Sequence, residues 1–206
     1  MTRNIIITGA CGALGREAVK AFKALNEYNV YTVDDVDLTV EKNAKKIADR
    51  CENIDVLINI AGGFIWKEIQ KTCFDDFEDQ FNMNFKTTYN MTMASLSKIN
   101  KSENGRIINI GAMGAVTGGA GMAAYAVSKS AVMRFTEALA CEAPDTLTVN
   151  AILPSIIDTP TNRTDMPDAD YTKWVTIDQL VNQLIFLASV QSSGINGALI
   201  PVKGRI

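Results

Sequence analysis

The chain has 206 residues, 47% of them hydrophobic, and a formal charge of −3 with its basic residues scattered. One buried core is therefore expected, with no basic footprint for nucleic acid or an anionic membrane. There is no histidine, which removes Ser-His and Cys-His nucleophiles and leaves acid/base chemistry to Tyr, Lys, Asp or Glu. Cys11, Cys51, Cys73 and Cys141 form no Cys-x-x-Cys pair, so no metal site is expected, and a reduced, cytoplasmic protein fits best. The Ile5–Ile7 run is too short for a leader's apolar core, and no apolar stretch is long enough to span a membrane.

Short β-branched runs alternate with longer amphipathic stretches, a pattern of parallel βαβ units, and residues 1–206 read as one domain. A strand is expected at 4–8, followed by Thr8-Gly9-Ala10-Cys11-Gly12-Ala13-Leu14-Gly15 and a helix over 14–25. Strand, glycine turn and helix start in that order let a backbone approach a pyrophosphate, which free N–H groups and the helix dipole stabilise; a tight turn alone would also use such glycines. The next strand, 30–34, ends in Asp34, nineteen residues after Gly15. A carboxylate there suits an adenosine ribose and repels a 2′-phosphate, favouring NAD(H), although Asp34 and Asp35 could instead punctuate a turn.

A helix over 40–51 precedes a strand at 56–60 that runs into Asn59-Ile60-Ala61-Gly62. One helix is expected over 74–98, then a strand at 106–111 leading to Ala112-Met113. The helix at 123–141 places Tyr125 and Lys129 four residues apart on one face, where an ammonium would lower the phenol's pKa and ready it for proton exchange. Beyond a strand at 148–153, the polar, proline-bearing segment 155–174 reads as a substrate lid or a surface loop; a helix at 177–190 and a strand at 198–202 follow.

The ordered set of glycine turn, Asp34, Asn59-Ile60-Ala61-Gly62, Tyr125/Lys129 and Asn150…Pro154…Thr159-Pro160 resembles the short-chain dehydrogenase/reductase family over nearly the whole chain. The resemblance implies a Rossmann-type doubly wound α/β fold and a nicotinamide cofactor. It also implies that Gly9, Gly12, Leu14 and Gly15 form the pyrophosphate turn, that Asn59, Ala61 and Gly62 pass along the cofactor, and that Asp37 and Leu38 meet the adenine. Pro154, Ile157 and Thr159 would hold the carboxamide end. Tyr125 would be the proton carrier, Lys129 would tune it and bind the nicotinamide ribose, and Asn84 would hold a relay water. A homodimer or homotetramer is implied as well, pairing the helices at 74–98 and 123–141, whose Met91, Ala94, Ala131 and Ala138 could pack closely.

Three departures stand out. Ala13 takes the family's second glycine position, where a small residue should still admit the pyrophosphate. Ala112, thirteen residues before Tyr125, replaces the serine that would steady a reacting carbonyl. In this the chain resembles dihydropteridine-reductase-like members, as it does in Gly12-Ala13-Leu14-Gly15, in Ala61-Gly62-Gly63-Phe64 and in the run from Asp158 to Asp170. A flat conjugated substrate, already electrophilic, could dispense with the serine, and Phe64, Trp66, Met113 and Trp174 are candidates to line its site, packing being the alternative role of the aromatics. Other readings are a carbonyl/alcohol dehydrogenase in which Thr117 or Ser155 replaces the serine, and a silent NAD(H)-binding sensor. The third departure is a deletion after Asp34, too short for the usual helix and third strand together, which predicts six parallel strands in family order 2-1-4-5-6-7.

Overall fold

The computed structural model describes residues 2–205. Its first strand, β1 (Arg3–Thr8), carries three fully buried residues, Ile5, Ile6 and Ile7. Successive strand side chains point to opposite faces, so Ile5 and Ile7 enter one core layer and Ile6 the other. A strand apolar on both faces needs helices on both, which is the condition for a buried parallel sheet.

From the glycine turn, α1 (Ala13–Ala24) presents Leu14, Ala18 and Phe22 to the first layer, and β2 (Tyr28–Val33) pairs parallel with β1. A short turn with Asp35 in the left-handed region (φ 50°) leads to α2 (Glu41–Ala48), and β3 (Val56–Asn59) then pairs on the other side of β1. Further out lie β4 (Gly105–Ile110), β5 (Leu147–Pro154) and β6 (Leu199–Val202), giving the all-parallel order β2-β1-β3-β4-β5-β6. This is the six-strand order expected from the deletion after Asp34. Because β2 and β3 flank β1 on opposite sides, the crevice beyond Thr8 is a switch point, where ligands of such sheets bind.

The expected helix over 74–98 is instead two, α3 (Phe74–Phe81) and α4 (Thr87–Ile99), joined by a π-helical turn at Asn82–Lys86. The Thr87 and Thr88 hydroxyls donate to the carbonyls of Met83 and Asn84, four residues back in each case, at 2.8 Å. With α5 (Ala123–Glu142), helices α2 and α4 cover the Ile6 face of the sheet.

Segment 155–174 is more ordered than its composition suggests. It contains α6 (Pro160–Asp165), opened by Thr159, whose Oγ1 accepts from Asn162 N at 3.2 Å, with Pro160 at the first helical position. Ile157 bridges to Val175, and α7 (Ile177–Ala188) returns to pack on α1. Met91 is fully buried in the second layer, so the outer face of α4 is formed not by it but by Tyr89 and Met93, beside Phe81, Phe85 and Phe135. Among the described residues no helix is long and apolar enough to cross a membrane.

Phe22 has no solvent exposure and meets Tyr28 edge-on at 5.1 Å. Phe22→Ala is expected to lower the unfolding free energy by about 3–5 kcal/mol. Urea denaturation followed by far-UV dichroism measures it, and a loss below ~1 kcal/mol would show that this layer is not closely packed.

Candidate active site

Gly9 lies at φ 66°, and a Cβ there would come within 2.8 Å of Ala61 N. The end of β1 thus approaches the segment after β3 backbone to backbone. Thr8 Oγ1 secures the approach by accepting from the N–H groups of Ile60 and Ala61 at 3.0 and 3.1 Å. Gly15 is packed against the same turn, where a Cβ would overlap the Gly9 carbonyl and Ala10 Cα. Gly12 precedes α1 in extended conformation, and no side chain among the described residues caps the helix. Its first N–H groups are therefore free to meet an anion. Ala13, the residue at the family's glycine position, adds a methyl group on the first helical turn, and the side chain of Leu14 is buried, leaving its backbone to the turn.

At the end of β2, the Asp34 Oδ1 atom is buried with no hydrogen-bond partner among the described residues. Such an atom calls for a donor, and a ribose hydroxyl supplies one. The glycine cradle, the uncapped helix and this orphaned oxygen together fit a dinucleotide. Asp37 is placed differently from an adenine contact through its side chain: its Oδ1 accepts from Thr39 N and Oγ1 at 2.9 and 2.6 Å, which holds its carboxyl below the usual range. Leu38 points into the core, 3% exposed, and its carbonyl accepts from Asn90 Nδ2. Both still line an open cleft of about 430 Å³ shared with Ala61, Gly62, Met83 and Thr87. The Asn59 side chain does not face that cleft. It donates to Thr92 Oγ1 and Asn109 Oδ1 at 3.0 and 2.9 Å, tying β3 to α4 and β4 from within the sheet.

Gly62 and Gly63 carry the chain to the second half of the site. A Cβ on Gly62 would stand 2.5 Å from Asn84 Oδ1 and 3.4 Å from Lys129 Nζ, so both side chains converge on this glycine. Asn84 sits in the π-helical turn and makes a reciprocal pair with Gly63: Oδ1 accepts from its N–H and Nδ2 donates to its carbonyl, each at 3.0 Å. Nδ2 also donates to Ser128 Oγ at 3.1 Å, and Ser128 Oγ donates to the Tyr125 carbonyl at 2.8 Å. Lys129 Nζ donates to the Ile110 carbonyl at 2.9 Å, at the end of β4. Burial pulls Lys129 down to about 8 and pushes the Tyr125 phenol up to about 12. The raised value of Tyr125 comes from desolvation, which favours the neutral phenol, and the expected lowering by Lys129 does not accompany it.

Ala112 is buried and begins a turn at Met113–Ala115, with Met113 half-buried against Ala151 and Leu153. Neither proposed substitute for the missing serine is presented as one: Thr117 is exposed, and Ser155 Oγ donates to the Lys203 carbonyl at 2.8 Å. Phe64, 52% exposed, meets the Tyr125 ring edge-on at 4.8 Å, and Trp66 Nε1 donates to the Ala120 carbonyl. Trp174 departs from the expected substrate wall; it is 5% exposed and packs on Tyr171, anchoring the 155–176 segment. Pro154 closes β5, while Ile157 and Thr159 follow at its exit, Thr159 occupied as the α6 cap. Neither the Thr8 clamp nor the Ser128 bond follows from the sequence alone, although Thr8 opens the glycine turn and Ser128 lies between Tyr125 and Lys129. The Ile110 carbonyl, a backbone group, leaves no sequence signal.

Comparison with known proteins agrees with this geometry. Residues 28–170 match the short chain dehydrogenase family. The 3-oxoacyl-(acyl-carrier-protein) reductase FabG of Vibrio harveyi is 32% identical over 180 residues, 81% of this chain and 72% of its own length. The ligand-free aldohexose dehydrogenase of Thermoplasma acidophilum superposes with a TM-score of 0.89 at 22% identity, over 98% of this chain and 93% of that one. ElxO with NADP bound superposes with a TM-score of 0.85 at 24% identity, over 99% and 98%. At such identities the two structures establish the fold. The chain belongs to the short-chain dehydrogenase family and is an oxidoreductase of it.

Gly15→Val would drive a side chain into the Gly9 carbonyl and open the turn. The dissociation constant for NADH, read by fluorescence titration, is expected to rise at least about tenfold. Unchanged binding would mean that the dinucleotide does not use this turn.

Proposed function

We propose that the chain is an NAD(H)-dependent oxidoreductase in which Tyr125 exchanges the proton and Lys129 and Asn84 hold the surrounding charge and water. The observation that carries the reading is the convergence of buried Lys129 and Asn84 on Gly62, one helical turn from half-buried Tyr125, beside the cleft lined by Asp37, Ala61 and Gly62. When bound, the nicotinamide supplies or takes up hydride. In the reductive direction the neutral Tyr125 phenol donates its proton to the substrate atom that gains electrons. Lys129, anchored on Ile110, lowers the cost of the tyrosinate left behind. Asp34 selects NAD(H), since a 2′-phosphate would bring like charge onto a buried carboxylate oxygen.

The substrate reading follows from Ala112. No hydroxyl stands there to bind a developing alkoxide, which favours a flat, conjugated, already electrophilic substrate such as a quinonoid dihydropterin, with Phe64 and Trp66 at the mouth. A carbonyl reductase is the second reading, favoured by the likeness to the 3-oxoacyl-(acyl-carrier-protein) reductase of Vibrio harveyi.

We also propose a homo-oligomer built on the outer face of α4 and α5. Tyr89 and Met93 of α4 and Phe81 at the end of α3 are 40–45% exposed, and Phe81 and Tyr89 form an aromatic cluster with Phe85 and Phe135, an apolar patch that a second copy would cover. Tyr89→Asp is expected to halve, or further reduce, the mass seen by light scattering, and a wild-type monomer would remove this proposal.

NADH oxidation measured against quinonoid dihydropterin, simple ketones, aldehydes and quinones tests the activity. Tyr125→Phe is expected to lose about 10²–10⁴-fold in turnover of any true substrate, and retained turnover would refute the proton-transfer role. Because burial brings Lys129 to about 8, the reductive kcat/KM should fall as pH rises through that value, the ammonium being lost while Tyr125, at about 12, keeps its proton. A profile flat to pH 10 would overturn that assignment.

A further inference from the structure

Gln80 is 1% exposed on α3, and its Oε1 lies 3.4 Å from Asn84 Nδ2, sharing in a three-centre bond one of the two amide hydrogens that also serve the Gly63 carbonyl and Ser128 Oγ. The orientation of this carboxamide is determined by its neighbour. Asn84 must present Oδ1 to the Gly63 N–H and Nδ2 to the Gly63 carbonyl. Reversing Gln80 would set amide donor against amide donor, so Oε1 faces Asn84 and Nε2 faces away. That Nε2 is buried with no partner among the described residues. A buried N–H without an acceptor is costly, and a water commonly supplies the missing partner.

Gln80 also lines a void of about 10 Å³, together with Asp76, Lys67, Thr72, Gly121 and Ala124. That is near the least volume that accommodates one water centre. Across it, the Asp76 carboxylate accepts from Lys67 Nζ at 2.9 Å on Oδ1 and 2.7 Å on Oδ2, and Oδ2 accepts further from Cys73 N at 2.8 Å and Cys73 Sγ at 3.2 Å; it stays ionised, its carboxyl at about 2. An ionised carboxylate is an acceptor-only group, and Oδ1, which meets Lys67 alone among the described residues, has capacity for a further donor. Asp76, Gln80 and Asn84 recur every four residues, which keeps the first two on one helical face and carries that line into the π-helical turn.

We infer that Gln80 is a positioning residue for Asn84, braced by one buried water that it shares with the Asp76 carboxylate. Gly63, Asn84, Gln80, the water and Asp76 then form one run of oriented hydrogen bonds from the site to the Lys67–Asp76 ion pair, which is itself partly solvated. The inference rests on the proposed role of Asn84, and its test separates the two.

In a high-resolution crystal structure of the wild-type protein, a water is expected within hydrogen-bonding distance of both Gln80 Nε2 and an Asp76 oxygen. A void without density, or Nε2 paired directly with a protein carbonyl, would overturn the inference. Gln80→Met keeps length and burial but removes both bonds, so hydrogen exchange of the Gly63 N–H, followed by NMR, should quicken by about tenfold while Gly105 N–H stays unchanged. Unchanged Gly63 exchange would equally refute the positioning role. With whichever panel substrate Tyr125 turns over, Gln80→Met should lower kcat about fivefold with KM for NADH unaltered. Asn84→Ala is the control: if it leaves turnover intact, the proposed site fails, whereas the water and the Gly63 exchange still decide the matter of Gln80.

Discussion

One hydroxyl holds the two halves of the site together. The ladder between β1 and β3 ends at Thr8 and Asn59, and beyond it the chains would diverge unless something joined them. Thr8 Oγ1 does so by accepting two successive N–H groups, and Gly9, lacking a Cβ, lets the backbones close. The position of Gly62 and Gly63 follows from this clamp, and Asn84 and Lys129 take their places against those glycines. The glycine turn and the residues proposed to handle the proton are thereby referred to the same two strand ends.

The architecture was legible because it is written in local patterns. Buried two-sided strands such as Ile5–Ile7 give unbroken apolar runs, crossover helices give amphipathic ones, and the few residues between Asp34 and α2 leave no room for another strand. Tyr125 and Lys129 were legible for the same reason, since four residues on a helix place two side chains on one face. The less legible features depend on partners far away in the chain. The turn at Asn82–Lys86 carries no local signal in the sequence, and what marks it is a bond to Gly63, twenty-one residues away. Met91 and Tyr89 look equally suited to an outer face until the direction of α4 against the sheet is known. Trp174, a natural stacking residue by type, is buried under Tyr171 because segment 155–176 folds back on itself.

The departures from the family pattern act at different levels. Ala13 changes little, because the neighbouring glycines that make close backbone contacts are Gly9 and Gly15. The deletion after Asp34 removes a whole βα step yet keeps the sheet continuous, since β3 pairs with β1 directly. Ala112 is the departure that bears on chemistry: the backbone there is buried and well placed, and what is missing is a single donor atom.

The wide turn at Asn82–Lys86 also acts as a phase shifter between two helices that follow one another without a loop. A regular helix advances about 100° per residue, so one extra residue in a turn rotates everything downstream by roughly that angle. Here the rotation lets α3 bury Gln80 beside Asn84 while α4 turns Tyr89 and Met93 outward. Lengthening or shortening the chain in the surface loops would leave both assignments alone. Excision of a single residue from this turn would straighten the helix and force a choice between them, so these five positions tie the chain's length to the direction in which α4 faces.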